Sequence, residues 1–187
     1  MSTLSGRKIA ILATDGFEHS ELFEPLKAFK EAGASVDVIS LKKGKIKSWK
    51  DNSWGQEIEV NKTVTEASSN DYDGLMLPGG VINPDLLRKE ESAISFVRSF
   101  NSGNSRKPIA AICHGPWLLV EAGIAEGKKM TSYASIKTDL KNAGVNWVDQ
   151  EVVCDNGIVT SRSPQDLKPF IAKAIEEYEE GTHEKGA

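Results

Sequence analysis

Cys113 and His114 stand side by side in Ala111-Ile112-Cys113-His114-Gly115-Pro116, a nucleophile next to a proton carrier. An apolar-flanked cysteine is ordinarily an inert core residue. This one sits where a buried run ends and a helix begins, since Gly115 permits close backbone approach and Pro116 suits a first helical position. Such a strand-to-helix elbow lifts the sulfur above a sheet, as serine elbows lift a hydroxyl. Unpaired N–H groups at a helix start favour thiolate, so a lowered thiol pKa is expected. The His114 backbone N–H can donate to a developing oxyanion, and the turn Pro78-Gly79-Gly80 after another buried run offers a second donor from Gly79 or Gly80. His114 is either a direct proton carrier or a positioning group, because adjacent residues need not make the contact that cysteine proteases build from distant segments. Glu18, just after the first apolar run, falls at the same end of the sheet, and a carboxyl beside sulfur would tend to hold its proton.

These residues need a sheet to carry them. Arg7 to Ala13, Ser35 to Leu41, Asp73 to Leu77 and Pro108 to Ile112 read as buried strands. Helices are predicted with Pro25 at a first helical position and Gly33 as the stop, over Asp85 to Phe100, from Pro116 to about Ala122, near Ile136 to Ala143, and from Pro164 to Glu180. Lys42 to Val60 reads as a surface hairpin. Further strands are expected near Lys129 to Tyr133, Val148 to Cys154 and Ile158 to Ser161. The alternation predicts an α/β sandwich with a mostly parallel sheet and the site at the carboxyl ends of its strands.

The length, 187 residues, suits one domain with a polar tail from about residue 181. With 23 basic against 27 acidic side chains the net charge is −4, which gives no reason to expect nucleic acid or an anionic membrane as partner. No run is apolar enough to span a bilayer, and the start Met1 to Lys8 lacks a secretory-type stretch. Two cysteines, Cys113 and Cys154, fit a reducing compartment, so a cytoplasmic location is expected. Neither a metal nor a cofactor is expected. The acidic run Glu176, Glu177, Glu179, Glu180 reads as a solvated face.

From Lys8 to about Tyr178 the chain closely resembles the PfpI family, the intracellular-protease-like branch of the superfamily that includes the Parkinson-disease-associated deglycase. The resemblance rests on Asp15-Gly16-Phe17-Glu18, Leu77-Pro78-Gly79-Gly80, Asn83-Pro84-Asp85-Leu86-Leu87-Arg88, Ala111 to Pro116, Thr131-Ser132-Tyr133, Asn142-Ala143-Gly144, Glu151-Val152-Val153 and Ser161 to Leu167. It implies a flavodoxin-like three-layer sandwich related to class I glutamine amidotransferases, a nucleophile at Cys113, a neighbouring acid at Glu18 and a site tyrosine at Tyr133. It also implies a homo-oligomer, a dimer or higher, in which the acid at Asp85 reaches from a neighbouring subunit to His114. Two departures stand out. His19 replaces the family's acid after the glutamate, and the turn between Gly80 and Asp85 is one residue longer than in the protease-named members. The His-x-Glu pair that activates the cysteine of glutaminases is absent, with Ser161-Arg162-Ser163-Pro164 in its place, which argues against glutamine hydrolysis.

Three functions are therefore expected in order of weight. The first is a stress-protective cysteine hydrolase acting on methylglyoxal or on the adducts it forms with proteins. The second is an intracellular cysteine peptidase forming an acyl-enzyme on peptides. The third is an oxidation sensor or holdase whose Cys113 takes up oxygen.

Overall fold

The computed structural model describes residues 3–103 and 105–184. Its strands are β1 (Lys8–Leu12), β2 (Phe17–Glu18), β3 (Ser35–Ser40), β4 (Lys45–Lys50), β5 (Ser53–Glu59), β6 (Lys62–Thr63), β7 (Gly74–Leu77), β8 (Ser105–Arg106), β9 (Ile109–Ile112), β10 (Lys129–Met130), β11 (Asn146–Trp147), β12 (Val153–Asp155), β13 (Ile158–Ser161) and β14 (His183–Glu184). The helices are α1 (His19–Glu31), α2 (Ile82–Arg88), α3 (Glu91–Ser99), α4 (Trp117–Glu121), α5 (Lys137–Asn142) and α6 (Leu167–Glu180).

Seven strands form the central sheet in the order β12-β13-β9-β7-β1-β3-β6. All neighbours pair parallel except β12 with β13. The continuous apolar runs follow from burial on both faces. Along β1, Ala10 and Leu12 enter one core while Ile9 and Ile11 enter the other, and β7 and β9 divide in the same way. Helices α3 and α4 cover the first face, with Ala93, Val97, Leu118 and Leu119 buried. Helices α1 and α6 cover the second with Leu22, Phe29, Phe170 and Tyr178. Each such Leu, Ile or Phe contributes roughly 1.5–3 kcal/mol by leaving water. The Tyr178 hydroxyl, fully enclosed, donates to the Leu75 carbonyl at 2.8 Å, so its polar end is satisfied inside the core.

The hairpin over Lys42 to Val60 is present as β4 and β5, and β2 joins it in a three-stranded sheet beside α1. Several expected elements differ. Helix α1 starts at His19, with Pro25 inside it, because Glu18 caps the start by accepting from the Glu21 N–H. The expected helix over Asp85 to Phe100 is two helices, broken at extended Glu90. Leu87, Ile94 and Val97 keep helical phase across that break, so spacing alone does not reveal it. The strands expected to Tyr133 and from Val148 shorten to Lys129–Met130 and Val153–Asp155. In the tail, His183 and Glu184 pair antiparallel with Arg106 and Ser105, while residues 185–187 lie outside the described part. Among the described residues no helix is long and apolar enough to cross a membrane.

Candidate active site

Strands β7 and β9 are neighbours, so the turn after Leu77 and the elbow after Ile112 open side by side at the carboxyl edge. Cys113 adopts a left-handed backbone with φ 64°, a conformation that costs a non-glycine residue on the order of 1–2 kcal/mol. The surroundings hold it there. The Cys113 N–H donates to the Ser161 carbonyl at 3.0 Å, and its own carbonyl accepts from the Tyr133 N–H at 2.9 Å. In a strand, neighbouring side chains point to opposite faces. Here the turn breaks that alternation and sets Cys113 Sγ 3.2 Å from His114 Nδ1. The adjacent pair thus makes the contact that the sequence left open.

On the far side of the imidazole, Ser135 Oγ lies 3.2 Å from His114 Nε2. A thiol that gives its proton to Nδ1 requires the tautomer carrying hydrogen at Nε2, and Ser135 is placed to accept from it. The Tyr133 ring stacks on the imidazole at 4.8 Å between centroids, and Trp117 meets it edge-on at 5.1 Å. Burial holds the His114 imidazole below its usual range, with Asp139 opposing only in part. A neutral imidazole is the form that can take a proton.

The carboxyl beside the sulfur is Glu21, which corrects the expectation for Glu18. Glu18 is half-buried and occupied as the α1 cap, accepting from Ser20 Oγ at 2.5 Å and from the Glu21 N–H at 2.9 Å. Glu21 is fully buried one turn into α1, and its Oε1 accepts from the Gly79 N–H at 3.0 Å. Burial first, and then the charge of Glu18, push Glu21 up to about 8. It is therefore neutral at pH 7, with a hydrogen to offer the sulfur. The sequence did carry a signal for it, since Glu21, Pro25 and Phe29 follow helical spacing down the buried face of α1.

The expected low-pKa thiolate is also corrected. Burial first, then the nearness of Glu21, push the Cys113 thiol up, while the backbone N–H groups of Gly80 and His114 draw it part of the way back. Helix α4 has five residues and begins four positions after Cys113, too short and too far along to act as a strong dipole. The resting pair is thus thiol and neutral imidazole, and the thiolate forms when His114 takes the proton.

Gly79 and Gly80 divide their work. The Gly79 N–H is spent on Glu21, whereas the Gly80 N–H faces both the sulfur and the Glu21 carboxyl. Gly80 has φ 77°, and a Cβ there would lie 2.6 Å from the Gly16 carbonyl oxygen. A Cβ on Gly79 would lie 2.6 Å from Glu21 Oε1 and 2.7 Å from both Cys113 Cβ and the Ile112 carbonyl oxygen. Gly79→Ala is therefore expected to cost about 2 kcal/mol or more, read as a lower urea midpoint. An unchanged midpoint would show that the turn yields freely. Behind the turn, buried Asn83 accepts from the Thr14 N–H at 2.8 Å and donates to the Pro78 and Gly79 carbonyls at 3.0 and 3.1 Å.

Asp85 is exposed on the first turn of α2 and makes no hydrogen bond or ion pair with His114 in the single chain. Where a glutaminase carries its His-x-Glu pair, Arg162 pairs with Asp166 at 2.8 Å and Asp149 at 2.9 Å. Arg162, Tyr133 and Trp147 line a cleft of about 340 Å³ beside the site.

Residues 7–177 match the DJ-1/PfpI family. General stress protein 18 of Bacillus subtilis is 43% identical over 171 residues, covering 91% of this chain and 96% of that protein. Protein/nucleic acid deglycase 2 of Escherichia coli is 42% identical over 170 residues, covering 90% and 96%. Among solved structures, Drosophila melanogaster DJ-1beta superposes with a TM-score of 0.83 at 30% identity, covering 92% of this chain and 90% of that one. The chain belongs to the DJ-1/PfpI family.

Proposed function

We propose that the chain is a cysteine-dependent hydrolase of reactive carbonyl compounds, acting on methylglyoxal or on the aminocarbinols that methylglyoxal forms with protein amines. The observation that carries this reading is the neutral Cys113–His114 pair at 3.2 Å, with a protonated Glu21 and the Gly80 N–H turned toward the same sulfur. Relatives about 40% identical bear deglycase names, including those of Thermococcus kodakarensis and Pyrococcus furiosus.

The chemistry runs as follows. Cys113 Sγ adds to the aldehyde carbon as its proton passes to His114 Nδ1, giving a hemithioacetal. The former carbonyl oxygen takes up hydrogen bonds from the Gly80 and His114 N–H groups, where its charge develops. His114 returns its proton to that oxygen and then takes the C–H proton, giving an enediolate; the hydroxyl proton passes to the former ketone oxygen, and His114 delivers its proton to the adjacent carbon, which leaves a lactoyl thioester on Cys113. Water then cleaves the thioester to lactate and restores the thiol. An aminocarbinol first releases its amine and the same aldehyde. Throughout, Glu21 holds its hydrogen toward sulfur, and Ser135 holds the His114 tautomer. In an assembled homo-oligomer, Asp85 of the partner subunit would take the Nε2–H in place of Ser135, and Tyr133 would line the entrance.

Purified protein is expected to consume methylglyoxal with matching release of lactate, and to return amines from freshly made adducts. Release of peptide fragments with no aldehyde consumed would move the reading to a peptidase. Neither activity, with oxygen gained at Cys113 under low peroxide, would move it to an oxidation sensor.

A further inference from the structure

A second group of chemistry-bearing side chains stands at the carboxyl end of α6. Ligating atoms of Glu177, Glu180 and His183 all lie within 4.8 Å of one another. Glu177 is 4% exposed, and both its Oε2 and the facing His183 Nε2 are shut from solvent without a hydrogen-bond partner. These two atoms are 2.9 Å apart but out of hydrogen-bond alignment. Two ligands bound at about 2.0–2.2 Å to one tetrahedral zinc ion stand about 3.4 Å from each other, so this pair needs to open by only about half an ångström to become adjacent corners of one coordination sphere.

The fold assembles this group from three segments. Cys154 on edge strand β12 pairs across from Val159, whose side chain packs in the core under α6, so the thiol faces the same helix. The Cys154 thiol lies against Glu177. His183 is set by the pairing of β14 with β8, and its ring occupies the space over the β12–β13 turn where a Cβ on Gly157 would come within 2.6 Å. Lys173 Nζ sits 3.0 Å from the other oxygen, Oε1, and leaves Oε2 free for another ligand. Carboxylates three apart on a helix repel, and the negative end of the helix adds to that repulsion. A divalent cation would relieve both.

We propose that Glu177, Glu180 and His183 form a site for a divalent cation of zinc type, separate from the Cys113 elbow, with Cys154, which touches Glu177 from outside that group, swinging in as fourth ligand. The mixed carboxylate, imidazole and thiol donors suit zinc better than calcium or magnesium, which take oxygen alone. Occupancy would release the Cys154 proton and tie β14 to the sheet edge.

The test is titration of the full chain with zinc chloride by calorimetry, in a Cys113→Ala background so that the elbow thiol cannot bind. One equivalent is expected. Affinity should fall at least about tenfold in His183→Ala and in Glu180→Gln, the latter exposed and neutral for folding. Cobalt in place of zinc should give a sulfur-to-metal band that vanishes in Cys154→Ser. No saturable binding, or binding that keeps its affinity in both His183→Ala and Glu180→Gln, would overturn the proposal.

Discussion

Replacing Cys113 with alanine is expected to lower methylglyoxal turnover by about 10³-fold or more, leaving only what bound backbone donors supply. The size follows from the position of the sulfur. His114 Nδ1, the Gly80 N–H and Glu21 all converge on it, so removing it deprives all three of their object. Folding should respond separately. Cys113 has φ 64°, so Cys113→Ala keeps the backbone strain, while Cys113→Gly relieves it. Cys113→Gly is expected to be the more stable of the two by about 1 kcal/mol in urea, though equally inactive. Turnover retained in Cys113→Ala would rule out the elbow as the reactive centre. A glycine variant less stable than the alanine one would show that the strain is absent in solution.

The second large effect belongs to Glu21→Gln, and it should appear in the pH dependence of both stability and reactivity. Folded Glu21 keeps its proton to about 8 against 4.5 for the ordinary carboxyl. Between those values the folded chain binds more protons than the unfolded one, so stability falls as pH rises through this window. The loss is on the order of a few kcal/mol, from about 1.4 kcal/mol for each unit of displacement. Glutamine keeps a carbonyl for the Gly79 N–H and cannot ionise, so the variant should lose that slope and be the more stable protein at pH 8. Alkylation of Cys113 by iodoacetamide reports the same coupling. In the parent, ionised Glu21 repels the thiolate above pH 8 and flattens the rate, whereas in Glu21→Gln the rate should keep climbing. Superimposable stability curves from pH 5 to 8 would refute the assignment of a buried neutral acid.

The elbow at Cys113, the glycine turn and the parallel strands beneath them were legible because local rules set them: apolar runs, a glycine where backbones close in, and a proline after the turn. Glu18 and Glu21 show where locality fails. Both stand at the start of the same amphipathic helix, and choosing between them depends on where that helix starts. Pro25 suggested a late start, yet the cap at Glu18 places six helical residues before it and turns Glu21 inward. Ser135 was not legible either. It reaches His114 from a single 3-10 turn, Ala134–Ile136, twenty-one residues on, and a lone serine in so short a turn has no pattern of its own. The same holds for Glu177, which reads as one of several solvated glutamates until α6 is packed against β12 and β13.

The buried amide of Asn83 has a consequence for the lifetime of the molecule. Asparagine side chains age by cyclising onto the backbone nitrogen of the next residue, which must give up a proton to close the ring. The next residue here is Pro84, whose nitrogen carries none. The amide that ties Thr14 to the Pro78 and Gly79 carbonyls is thereby spared the commonest route of spontaneous deamidation. A negative charge arriving there would repel the same two carbonyls and loosen the turn that presents the Gly80 N–H. The geometry around Cys113 is thus guarded against chemical wear as well as against thermal motion.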